Sequence, residues 1–235
     1  MPKVLLFQLG EAPKSVADIH DDYPAWFSRA WDGQLEAFDG RKGNPAPNPR
    51  DYAGIVITGS PASLTKPEPW MDDAADFVRR AYDAGTPTLG VCFGHQLLGY
   101  AFGAKVVRNP QGWEIGTCDV TIDDTSETID PLFEGLAPRI RVNFTHEDMV
   151  EPTSLDGSGL RNLAKSPRCA VQALAMGDHV RSIQFHPEVS GAICRAYIDA
   201  RRSLLRDPDA LIASATDAPD GEMVLRNFRR LFCKV

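Results

Sequence analysis

A doubly wound, mostly parallel α/β sheet with an antiparallel extension is the fold this sequence predicts, as a single domain over residues 1–235. Three observations predict it. Apolar runs of strand length alternate with segments of helical period in the first half of the chain. The first strands run straight into glycine turns, as strands do where a ligand crevice forms at the carboxyl edge of a parallel sheet. In the second half, strand-like runs follow one another without the long crossovers that parallel pairing needs.

The elements follow in order. Lys3 to Leu9 has no polar break before Gln8, the pattern of a central strand covered on both faces. After a loop at Gly10 to Pro13, Val16 to Trp31 reads as one helix, Gln34 to Phe38 as a short strand, and Arg41 to Arg50 as a Pro, Gly and Asn loop. Gly54 to Thr58 is the next strand and ends at Gly59-Ser60-Pro61. From Trp70 to Ala84 apolar residues fall at helical intervals (Trp70, Ala74, Phe77, Val78, Ala81), and Gly85 stops the helix. Thr88 to Val91 is a short apolar strand, and Phe93 to Gly103 follows at once as a buried helix, with Cys92 at the junction. Ala104 to Arg108, Thr117 to Ile122, Arg139 to Phe144, Ala170 to Met176 and His179 to Phe185 read as strands, the last two joined by a Gly177-Asp178 hairpin turn. Helices return at Val189 to Leu205 and Glu222 to Phe232, with an Asp- and Ala-rich linker between them.

A net charge of -7 argues against a surface for polyanions, whose binding needs clustered Lys and Arg, so no nucleic-acid partner is expected. The first apolar run reaches Gly10 and Glu11 too soon for a signal peptide or a span, which predicts a cytoplasmic chain with no membrane partner. Five dispersed cysteines, with no Cys-x-x-Cys or His-x-x-His pair, predict neither a disulfide framework nor a metal site. Cys118, Cys169, Cys194 and Cys233 read as small buried hydrophobes, and His20 and His179 as surface residues. No GxxxxGK[ST] or GxGxxG stretch supports a nucleotide cradle.

Cys92 is different. Gly90-Val91-Cys92-Phe93-Gly94 has the form of a nucleophile elbow, in which a strained turn lifts the reactive atom above a strand end. A thiol at a helix N-terminus meets the positive end of the macrodipole, which favours thiolate, and the amide of Phe93 is placed to donate to an oxyanion. The flanking glycines alone leave a buried, inert thiol as good a reading as a nucleophile. Gln184-Phe185-His186-Pro187-Glu188 tips that balance: in extended backbone His186 and Glu188 project to one face, where a carboxylate fixes the tautomer of an imidazole and supports its protonated form. The small-residue turn at Gly59-Ser60 is a candidate for a second oxyanion donor, and also reads as a plain strand-to-loop turn.

Pro87 to Leu98 together with Gln184 to Glu188 resembles the class I, triad-type glutamine amidotransferases, in particular the amidotransferase domain of GMP synthases, over nearly the whole chain. The resemblance implies a flavodoxin-like sheet, Cys92 as nucleophile, His186 as general base and acid, Glu188 as the orienting acid, and Gln96 as a contact to substrate. It implies an oxyanion hole formed by Phe93 and the Gly59-Ser60 turn. Here the sequence departs from the family's Gly-Gly-Pro: Ser60 tolerates positive φ poorly, which predicts a different turn, or a hole completed only by a conformational change, and low basal turnover. Gly112 to Gly116 resembles a family segment near the site entrance. His146, in Thr145-His146-Glu147-Asp148, is a candidate for the pocket wall or a structural histidine. His95 reads as packing on its helix, and Trp26, Trp31 and Trp113 as core or rim aromatics.

The expected chemistry is attack of a Cys92 thiolate on a γ-glutamyl amide, a thioester, and hydrolysis to glutamate, with no cofactor and no metal. Three readings follow: a glutamine amidotransferase delivering ammonia to a separate synthetase subunit; a stand-alone hydrolase of γ-glutamyl peptides or amines; and a silent binding module. An intact Cys92, His186 and Glu188 argues against the third.

Overall fold

The structure, a computed structural model, describes residues 3–123 and 129–235. Strands β1 (Val4–Gln8), β2 (Leu35–Asp39), β3 (Gly54–Ile57) and β4 (Thr88–Val91) run parallel in the order β2-β1-β3-β4. Helices α1 (Lys14–His20), α2 (Tyr23–Trp31), α3 (Pro69–Asp83) and α4 (Phe93–Ala101) lie among them in the chain. The order reverses between β1 and β3, so their loops, carrying Gly10 and Gly59, diverge at the kind of switch point where doubly wound sheets bind ligands.

The second half supplies β5 (Val106–Arg108), β6 (Glu114–Ile122), β7 (Arg139–His146), β8 (Asp148–Val150), β9 (Arg161–Lys165), β10 (Ala173–Met176) and β11 (Val180–Ile183), then α5 (Gly191–Ala200), α6 (Pro208–Ser214) and α7 (Pro219–Asn227). Nine of these strands form one sheet, β2-β1-β3-β4-β11-β10-β9-β6-β7, and the antiparallel extension is β11-β10-β9-β6-β7. β11 lies parallel to β4, with Ile183 opposite Val91. That insertion brings the segment after β11 beside the segment after β4, and it positions the site.

Two apolar cores cover the sheet. On one face Phe7 stacks between Phe38 and Phe77, at 5.9 and 4.2 Å between ring centroids, in a cluster that holds α3 and α4. The other face packs Val4, Leu6, Val56, Leu89 and Val91 against α2, α5 and α7. Burying each such side chain contributes roughly 1.5–3 kcal/mol.

Several expectations are corrected. The single helix over Val16 to Trp31 is two: Asp21 turns to φ 67°, and the Asp22 carboxylate accepts from the Tyr23 and Ala12 amides at 2.7 and 2.8 Å, capping a second helix that Pro24 suits at its first turn. The strand expected from Ala104 pairs as β5 with β8, outside the main sheet. β8 and β9 are short strands that polar residues conceal in the sequence, and the Asp-rich linker contains α6, capped by Asp207. The last helix continues past Asn227 as a π-type turn to Cys233. His20, His179 and Cys118 are half-buried; His179 stacks on Tyr82 and bonds its carbonyl oxygen at 3.0 Å.

His95 does not simply pack on its helix: its Nδ1 reaches Ser182 Oγ on β11 at 2.8 Å, fully buried. Burial, reinforced by His146, pushes its imidazole down to about 3. The unfolded chain takes up this proton near 6.5, so the histidine's contribution is complete above that pH and is lost as pH falls toward about 3. His95→Asn should flatten that acid-side loss, as urea midpoints at neutral pH and at about pH 5 would show.

Candidate active site

β4 leaves the sheet at Cys92, whose backbone sits at φ 52°, ψ -101°, a conformation that costs a non-glycine residue about 1–3 kcal/mol. The flanking glycines make the turn possible. A Cβ on Gly90 would lie 2.4 Å from the Gly94 carbonyl oxygen, and one on Gly94 2.7 Å from that of Ile57. Gly90→Ala should therefore destabilise the fold by about 1–3 kcal/mol and displace the thiol, seen as a lower unfolding midpoint together with lost activity.

His186 follows β11, and its position is fixed from several sides. The His186 amide donates to Asn143 of β7 at 2.9 Å, while the buried Asn143 carboxamide donates to Val189 and Thr216 carbonyl oxygens. The Cys92 amide in turn donates to Ile183 of β11 at 2.9 Å, locking the two loops together. His186 Nδ1 is 2.7 Å from Glu188 Oε1, and both side chains are out of solvent. Nε2 is buried and has no hydrogen-bond partner among the described residues. Apo sites often hold such contacts open. Burial opposes protonation of this imidazole, but the Glu188 carboxylate and then Cys92 outweigh it, and its pKa is raised. The remaining cysteines are poor nucleophiles: burial pushes Cys169, Cys194 and Cys233 up to about 12 and Cys118 up to about 11.

The β3 turn lies against this pair, with a Cβ position on Gly59 only 3.1 Å from His186 Cε1 and 3.7 Å from Cys92 Cβ. Buried Thr58 steadies the turn, its hydroxyl accepting from the Leu9 amide and donating to the Gly59 carbonyl, both at 2.9 Å. Ser60 is absent from the residues with positive φ, so the expected backbone penalty at Ser60 does not arise. No backbone acceptor among the described residues takes the Ser60 or Phe93 amide.

Cys92, Ser60, Gln96 and His146 line one cleft of about 210 Å³. Gln96 donates its side-chain amide to Asp148 O and Gln184 Oε1, which leaves its carboxamide oxygen for the cleft. His146 forms part of the wall with both ring nitrogens engaged, Nδ1 by Asp148 O at 2.9 Å and Nε2 by the buried Glu114 at 3.0 Å. It has no nitrogen left for substrate, which narrows its expected contact to shape. Glu114 also accepts from Ser166 and Gln172; burial raises its pKa, but these partners, His146 first, hold it below the usual carboxylate range. Among the described residues no cluster of three metal-ligating side chains occurs, and no helix is long and apolar enough to cross a membrane. Larger hollows exist, one of about 660 Å³ near Glu134 and Arg230, but that one holds no nucleophile.

Glu114, Asn143, Tyr23 and Arg201 were not legible as site residues. Tyr23 lies 3.5 Å from the Gly59 Cβ position and shares a hydroxyl contact with Tyr197. Glu114 falls in the Gly112 to Gly116 segment already placed at the entrance, which was its one signal. Trp113 is confirmed at the rim, and Trp26 and Trp31 in the core.

A thiol at a strained elbow, with an imidazole and its carboxylate beside it on the neighbouring strand end, is the constellation that nucleophilic acyl transfer requires. Comparison with known proteins agrees in kind. The model of the glutamine amidotransferase class-I family matches residues 41–197, and the chain belongs to that family. Gamma-glutamyl peptidase 2 of Arabidopsis thaliana is 26% identical over 238 residues, covering 95% of this chain and 94% of that protein. A glutamine-hydrolyzing GMP synthase subunit of Sulfurisphaera tokodaii is 35% identical over 142 residues, 60% of this chain and 69% of its own. The glutamine-hydrolyzing GMP synthase of Clostridium novyi is matched over only 24% of its length. In fold, a glutamine amidotransferase of Thermotoga maritima superposes over 100% of this chain with a TM-score of 0.74 at 21% identity.

Proposed function

We propose that this chain hydrolyses the side-chain amide of glutamine, or of a related γ-glutamyl compound, through Cys92, His186 and Glu188. The observation that carries the reading is the imidazole held by Glu188 at 2.7 Å, with Cys92 near enough to favour its protonated form. The Cys92 thiolate attacks the γ-carbonyl carbon, forming the C–S bond, and the Ser60 and Phe93 amides receive the oxyanion. Protonated His186 gives its proton to the leaving nitrogen as the C–N bond breaks, leaving a γ-glutamyl thioester. His186 then takes a proton from water, which attacks the thioester, restores the thiolate and releases glutamate.

Two fates of the nitrogen are compatible with this chemistry. As an amidotransferase the chain would pass ammonia to a separate synthetase subunit. The alternative, a stand-alone γ-glutamyl peptide or amine hydrolase, is favoured by one observation: the γ-glutamyl peptidase aligns nearly end to end, whereas the GMP synthase subunit does not. Glutamate release from glutamine and from a panel of γ-glutamyl peptides, with Cys92→Ala as control, decides between them. Preference for glutamine supports the first, preference for a peptide the second, and release that survives Cys92→Ala removes both.

A further inference from the structure

Tyr23 opens α2 and is buried beside the site. The Asp22 cap fixes that start, and the residue is 4% exposed, its ring packed edge-on against Trp26 at 5.3 Å between centroids. Its hydroxyl oxygen accepts from the Tyr197 hydroxyl of α5 at 3.3 Å. Tyr197 is held in turn by Arg201, whose guanidinium lies 4.8 Å from its ring centre. The hydroxyl hydrogen of Tyr23 itself has no acceptor among the described residues. A buried hydroxyl keeps such a hydrogen at a cost unless a negative group beside it gains from the dipole.

The space in front of this hydroxyl is shared with the catalytic pair. The Cβ position that Gly59 leaves empty lies 3.5 Å from the Tyr23 oxygen, 3.1 Å from His186 Cε1 and 3.7 Å from Cys92 Cβ. The hydroxyl, the imidazole edge and the β-carbon of the thiol therefore border one small gap. Burial first, then Tyr197, Cys92 and Glu188, holds the Tyr23 proton well above the ordinary value of 10, so the group remains a neutral donor while the thiol ionises. Burial likewise pushes the Tyr197 hydroxyl up, which keeps it a donor to Tyr23.

We infer that Tyr23 is a positioning residue for the nucleophile: its hydroxyl, oriented by Tyr197, turns the positive end of the O–H dipole toward Cys92 and stabilises the thiolate. This rests on Cys92 being the nucleophile of the function proposed above. Tyr23 acts through the sulfur and does not touch substrate. A dipole fixed by burial is worth more than one in water, and it needs no reorganisation when the charge forms. The other titratable or charged groups around Cys92 are His186 and Glu188 after β11, Arg201 after α5, and Arg108, His146, Glu147 and Asp148 on the cleft wall. His95, on the helix that Cys92 starts, is turned to Ser182. Tyr23→Phe leaves all of these in place and removes one oxygen.

The test is the pH dependence of alkylation by iodoacetamide, followed at the Cys92 peptide by mass spectrometry in the parent, Tyr23→Phe and Tyr197→Phe. Tyr23→Phe should raise the alkylation midpoint by about 0.5–1 pH unit, which is about 3–10-fold slower reaction below the midpoint. Tyr197→Phe frees the Tyr23 hydroxyl to turn and should raise it by less. Urea midpoints of the same proteins read the packing separately. A merely structural role lowers the urea midpoint, leaves the alkylation midpoint where it was, and overturns the inference. A lowered alkylation midpoint, or a larger rise in Tyr197→Phe than in Tyr23→Phe, overturns it too. If Tyr23→Phe does not fold, Tyr197→Phe decides, and an unshifted midpoint there is the contrary result. Alkylation is read whether or not any γ-glutamyl compound is hydrolysed, so absent hydrolysis strikes the proposed function and leaves this test standing. A parent Cys92 that reacts at no pH overturns both.

Discussion

Cys92→Ala should lower glutamate release by at least about three orders of magnitude while leaving the unfolding midpoint nearly unchanged. Alanine keeps the β-carbon, so the strained backbone at φ 52° costs the variant much what it costs the parent, and only the sulfur is removed. The interactions that hold the elbow are backbone ones, the Cys92 amide to Ile183 and the His95 and Gln96 amides to the Cys92 carbonyl, and they survive the change. None of the other thiols can substitute, because burial holds all four up at about 11 to 12. Activity and stability are therefore separable at this residue, and urea unfolding beside a glutamate assay reads both.

Glu188→Gln should lower turnover by about 10²–10⁴-fold with the shape of the site retained. The carboxamide can still meet Nδ1, but the charge that supports the imidazolium is gone. A second consequence distinguishes electrostatics from geometry. Burial lowers the His186 pKa and the Glu188 charge is the largest influence raising it, so without that charge the balance turns toward neutral imidazole. The step that expels the amine needs the protonated form. Activity in the parent is lost as pH rises through the raised pKa, and in Glu188→Gln the alkaline limb should move to lower pH. The same linkage acts on stability: a raised pKa contributes stability that is complete below the ordinary value of 6.5 and is lost as pH rises through the folded value. The variant should lack that alkaline loss. An unshifted limb in the pH profile of kcat/KM would show that Glu188 acts by position alone.

The sequence carried the parallel half of the fold well because its strands are buried on both faces and read as uninterrupted apolar runs, as in Val4–Gln8 and Gly54–Ile57. It carried β8 and β9 poorly. Asp148–Val150 is too short to show a period, and Arg161–Lys165 alternates only loosely. The break between α1 and α2 was written in Asp21-Asp22 and Pro24, but apolar residues on both sides hid it. What no pattern could reveal is the insertion of β11 beside β4, the pairing that sets His186 against Cys92. Motif order implied that meeting only through resemblance. Glu114 and Asn143 were hidden for a different reason: each is an ordinary polar residue in its own strand, and its hydrogen bonds at the site are made with partners distant in the chain. At Ser60 the departure from the family pattern is met by a backbone that avoids positive φ.

The most direct test of the central claim is to trap the acyl enzyme. The protein is mixed with glutamine or a γ-glutamyl peptide, quenched in acid, digested and mapped by mass spectrometry, with hydroxylamine added to a parallel sample. A γ-glutamyl group confined to the peptide that contains Cys92, released as the hydroxamate and absent from Cys92→Ala, is the predicted result. Hydrolysis with the γ-glutamyl group on a different residue, or undiminished hydrolysis by Cys92→Ala, would contradict it.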